Sequence, residues 1–140
     1  MREILFRGKC DGGCAWIFGY YIGPVVLDGS YEICDIDDPS GCRYDVVPET
    51  LGQYIEKNDK NGQAIFEGDI VEAVLPRSKA QNGFVWPLMP VVFREGIFGL
   101  LTARDEVVPF TAFAPSVTLE VKGNIHDHPE MLKGEKANEG

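Results

Sequence analysis

The sequence contains no apolar run approaching the about 20 residues that a membrane-spanning helix requires. Its opening, Met1-Arg2-Glu3-Ile4-Leu5-Phe6-Arg7, turns polar again too soon for a signal peptide. No membrane association and a cytoplasmic location are therefore expected. Basic residues are scarce, 13 Lys and Arg against 22 Asp and Glu, giving a net charge of -9. Such a field repels a polyphosphate, so binding to a nucleic-acid backbone is not expected. The densest basic stretch, Arg77 to Lys79, holds two charges in a loop rich in Gly and Pro. Neither the Gly-x-Ser-x-Gly elbow of a serine nucleophile nor a phosphate-cradling Gly-x-x-x-x-Gly-Lys loop is present, which removes the most readable catalytic classes. No cofactor is implied.

What remains is rich in residues that pack well on a pleated surface. The chain is 44% apolar, with two Trp, five Tyr and eight Phe, enough to bury a core without disulfide or metal staples. Its 16 Gly and 9 Pro interrupt it too often for long helices. A mostly β class is expected, a small barrel or roll of many short strands. Strand-like runs fall at residues 3–8, 15–22, 25–27, 31–36, 44–47, 51–55, 64–66, 70–75, 91–93, 97–101, 107–113 and 117–125. Turn signals separate them, among them Asn61-Gly62, Glu67-Gly68-Asp69 and the hairpin signal Arg94-Glu95-Gly96. A loop of about 15 residues is expected from Pro76 to Pro90, a length at which loops are functional or disordered.

Three blocks in order carry a resemblance: Pro48-Glu49-Thr50-Leu51-Gly52-Gln53-Tyr54, Asn58-Asp59-Lys60-Asn61-Gly62, and Ile65-Phe66-Glu67-Gly68-Asp69-Ile70-Val71. With the opening Arg2 to Arg7 and the closing Val121-Lys122-Gly123-Asn124-Ile125 and Pro129-Glu130-Met131-Leu132, the chain resembles the YopX family of phage and prophage proteins. The resemblance implies one β-rich domain over residues 1–132, with an SH3-like roll around 48–132 and additional N-terminal strands. It implies no established activity. Residues 133–140 are polar and are expected to form a disordered tail. The chain departs from the family pattern at residues 9–14 and in the Pro-rich loop 76–90.

Four sets of residues are candidates for a site. Cys10, Cys14, Cys34 and Cys42 carry enough thiols for a tetrahedral Zn²⁺ site, but only the first pair has the short gap of a zinc knuckle, and free thiols are the expected state. His126 and His128 would share a face if a strand continued through Asp127, a geometry suited to a metal or to acid-base chemistry. Pro129 instead argues for a strand ending there. The carboxylates Asp59, Glu67, Asp69, Asp105 and Glu106 lie in turns, where solvation is the ordinary state.

The fourth set is Phe84, Trp86, Leu88 and Met89, which with Val85 place apolar bulk inside a loop of turn composition. If exposed they mark a protein interface; if folded back they cover an open end of the roll. The leading functional reading is an accessory protein acting by protein binding or self-association through this loop and the acidic loop near 35–38. Replacement of Trp86 by Ala is expected to weaken such binding while leaving the fold intact. The alternatives are a metal-dependent or hydrolase-like enzyme using Asp59, Glu67, Asp69, His126 and His128, and mimicry of DNA by the acidic surface.

Overall fold

Frequent Gly and Pro keep the elements short. The computed structural model describes residues 4–10, 15–24, 30–38 and 40–132. Among these it has twelve strands, none longer than nine residues, and two single-turn 3₁₀ segments. Cys14, the expected strand at 25–27 and the expected tail at 133–140 lie outside the described residues. The chain divides into two units, Met1–Glu56 and Lys57–Gly140.

In the first unit β1 (Phe6–Lys9), β2 (Trp16–Pro24), β3 (Tyr31–Asp35), β4 (Arg43–Asp45) and β5 (Gly52–Asn58, which crosses the boundary) form a sheet in the order β4-β3-β2-β1-β5, to which β6 (Ala64–Phe66) adds as a sixth strand beside β5. The period of two decides which residues meet. Ile17, Ile33 and Val46 are buried together, with Phe6, Tyr31 and Tyr44 against them. Burying each isoleucine contributes about 1.5–3 kcal/mol. The alternate residues of β2, Phe18, Tyr20 and Ile22, are exposed. A Cβ at Gly19 would collide with the Cys34 carbonyl oxygen, so the close approach of β2 and β3 requires glycine there. Pro48–Thr50 is a 3₁₀ turn, and its buried Thr50 Oγ1 accepts from the Lys9 amide (2.8 Å) and donates to the Val47 carbonyl (2.6 Å).

The second unit holds β6 (Ala64–Phe66), β7 (Asp69–Leu75), β8 (Phe84–Val85), β9 (Met89–Arg94), β10 (Ile97–Leu101), β11 (Val107–Pro109) and β12 (Thr118–Asn124). Its sheet runs β11-β10-β9-β7-β12, with β8 pairing the far end of β7. Ile70, Val71 and Ala73 of β7 are all fully buried, as a central strand covered on both faces demands.

The mostly β class holds, in two antiparallel sheets; of the expected barrel or roll, a closed barrel is not formed. The end strands β11 and β12 are not paired with each other. A turn rather than a strand covers β12: Asp59 Oδ2 accepts from the Val121 amide (3.0 Å) and the Lys60 amide donates to the Leu119 carbonyl (2.8 Å). That turn satisfies the edge without closing the sheet. The expected strand over 107–113 stops at Pro109, which has no N–H to extend the ladder, and Phe110–Ala112 forms a 3₁₀ turn. The expected loop 76–90 is shorter than its composition indicated. Phe84 and Val85 pair back onto β7, and Met89 already belongs to β9.

Candidate binding pocket

The segment after β7 builds the pocket. β8 pairs Val85 with Val74 and Phe84 with Leu75. The return is tight enough that a Cβ at Gly83 would lie 3.0 Å from the Leu75 carbonyl oxygen. The Trp86 amide continues the pairing with a 3.0 Å bond to the Ala73 carbonyl. These bonds fix the Trp86 ring between two others, edge to face with Phe84 at 4.9 Å and with Phe113 at 5.3 Å.

Below Trp86 lies a cavity of about 380 Å³. This falls within the size range of small-ligand pockets, and it also accommodates an anchoring side chain. Trp86, Leu88, Met89, Leu101 and Leu132 form apolar walls, with Pro87 and Pro90 along the loop side. Met89 is buried and Leu88 half-buried, whereas Phe84 and Val85 next to the cavity are more than half exposed, at 54% and 57%. The loop therefore divides its apolar residues between core and surface. Trp86 is itself a packing element, so its replacement by Ala would disturb the fold that the sequence-based expectation left intact. The exposed Ala103 on the opposite rim is the cleaner place to block the cavity.

Polar groups on the lining are few: Thr102 and Asp105. Both sit in the β10–β11 turn, where the Thr102 amide donates to the Glu106 carbonyl (2.8 Å) and the Asp105 amide to the Thr102 carbonyl (3.0 Å). Thr102 Oγ1 accepts from the amides of Arg104 (3.3 Å) and Glu106 (3.2 Å). The turn holds Asp105 at φ 62, left-handed backbone that few residues other than glycine adopt. Its carboxylate meets Arg94 Nη1 at 3.0 Å, with both side chains substantially exposed.

The other candidate carboxylates and the histidines lie in turns or, for Asp69, at the first residue of a strand. Burial works to raise the Asp59 carboxyl, but the amides of Val121, Gln63 and Asn61 donate to it and together hold it below its ordinary value. Asp69 Oδ2 accepts from the Phe66 amide at 2.8 Å across the β6–β7 turn. β12 ends at Asn124, so the histidines are not on one strand face. The buried Asn124 Oδ1 accepts from the amides of His126 (3.0 Å) and Asp127 (2.8 Å), and its Nδ2 donates to Asp127 Oδ2 (3.2 Å). His128 Nδ1 accepts from the Asn124 amide at 3.3 Å.

Cys10, Cys34 and Cys42 are free thiols, with Cys34 Sγ directed at the Gly41 carbonyl and Cys42 Sγ accepting from Ser40. Among the described residues no group of three or more His, Cys, Asp or Glu is arranged to hold a metal ion. No described helix is long and apolar enough to cross a membrane.

Trp86, Leu88 and Met89 thus come together on one cavity, and Phe84 flanks it. Leu101, Ala103 and Leu132 were not singled out by sequence, and Asp105 was only one carboxylate among many. Nothing in their local composition distinguishes them, since they arrive from a hairpin and from the chain's last described turn.

The family model of the YopX protein matches residues 28–133, most of the chain and all of the pocket's lining. The chain belongs to the YopX family. No curated protein matches it. Membership in the YopX family identifies kinship without supplying a chemistry, so the pocket of this YopX chain is read from its own geometry.

Proposed function

We propose that this YopX chain is a protein-binding accessory protein whose second unit, an SH3-like roll, receives an apolar side chain of its partner in the cavity below Trp86. The observation that carries this reading is an apolar cavity lined by Trp86, whose ring packs edge to face at 4.9 Å on the exposed Phe84. A partly open apolar pocket beside exposed apolar side chains provides an anchor site with surrounding contact area, as protein interfaces do. A catalytic site calls for convergent acid, base or nucleophilic groups, and the polar side chains this lining offers from the β10–β11 turn are Thr102 and Asp105. The carboxylates of Asp59 and Asp69 receive backbone amides in turns, and neither they, Glu67, nor His126 and His128 line the cavity, which weakens the enzyme reading. A role in a phage or prophage accords with the family resemblance.

Selection from a displayed library of random peptides tests the reading. The wild-type chain is expected to enrich peptides sharing an apolar anchor, whereas Ala103→Trp, which fills the cavity from its exposed rim, enriches none of them. Equal enrichment by both proteins, or none by the wild type, rejects the cavity as the site. Sedimentation of both identifies a second copy as the partner if Ala103→Trp shifts an oligomer to monomer.

A further inference from the structure

Among the described residues Asp105 is the only charged one on the cavity lining. Its side chain is 77% exposed and its present partner, Arg94, is 45% exposed. An ion pair so open to water is weakly held and readily exchanged. The backbone gives a second reason to look here. Asp105 occupies a left-handed position that glycine would fill without strain, yet the position carries a carboxylate, its backbone held in the turn by the bond from its amide to the Thr102 carbonyl. A negative charge beside an apolar cavity selects a positive charge beside an apolar anchor.

Resting on the cavity reading above, we propose that the partner segment carries a Lys or Arg within a few residues of its apolar anchor. Asp105 receives that cation in exchange for Arg94. The anchor supplies the burial and the ion pair supplies the choice among apolar segments. Residues 57–140 hold nine basic and twelve acidic residues, an acidic excess that acts in the same direction over longer range.

The sequences of the enriched peptides decide the matter. The wild type is expected to enrich anchors flanked by Lys or Arg. Asp105→Gly, which suits the backbone and should melt no lower than the wild type, is expected to enrich the same anchors without the basic preference. A synthetic peptide of the enriched sequence should lose about tenfold in affinity for Asp105→Gly, and the loss should disappear when its basic residue is replaced by Gln. Wild-type enrichment of anchors with no basic preference, or a preference that survives Asp105→Gly, overturns this inference while leaving the cavity reading intact. Failure of the wild type to enrich any peptide overturns both.

Discussion

Asp59 shows how a residue that looks catalytic in sequence becomes structural in three dimensions. Its carboxylate is buried and accepts amides from Asn61 and Gln63, both at 2.9 Å, in its own turn, and from Val121 on β12. The asparagine, glycine and aspartate of that segment announced a turn, but not the bond to a residue 62 positions away. Because the folded-state value lies below the ordinary 3.8, Asp59 contributes stability that is present above pH about 4 and is lost as pH falls through the folded value. Asp59→Asn is expected to destabilise the protein at pH 7 by about 1–3 kcal/mol and to flatten the acid limb of the curve. Thermal unfolding from pH 7 to 3 checks both effects; an unchanged acid limb would show that this carboxylate contributes nothing. Asn124 escaped sequence reading for the same reason: its role is a set of local bonds that ends β12, and the histidines beside it drew the attention.

At the scale of elements, local chemistry was legible and pairing was not. Arg94-Glu95-Gly96 signalled a hairpin, and the register pairs Arg94 with Ile97 around the two-residue loop Glu95-Gly96. Both loop residues have positive φ, 51° and 82°, the signature of a type I′ turn, in which Asn is far better than Glu at the first position. Glu95→Asn is therefore expected to stabilise the protein by about 0.5–1 kcal/mol, measured as a higher urea midpoint at unchanged slope. The segment 76–90 was harder to read. A two-residue strand such as β8 leaves no periodicity in the sequence, and its pairing with β7 depends on a partner about ten residues earlier in the chain. Phe84, Trp86, Leu88 and Met89 stood out in the sequence because apolar bulk between turn residues needs an explanation wherever it lies, and three of the four line the cavity.

Across the whole molecule, composition indicated the β class, while closure depended on what caps an edge. The turn at Asp59 covers β12 where a barrel would use another strand, and no count of strand-like runs distinguishes the two. Charge is unevenly shared: residues 1–56 hold four basic and ten acidic residues, so most of the excess lies in the first unit. Random-sequence duplex DNA is accordingly expected to migrate unretarded with the protein at 150 mM salt, and a retarded band would contradict the electrostatic argument. The wall formed by Leu132 bears on how the protein is handled. The pocket takes one of its sides from the last described turn of the chain, so a truncation that appears to trim only an inconspicuous end would open the pocket further toward a shelf. Shortened versions would then lose one side of the proposed anchor site, and a reporter is better fused at the opposite terminus.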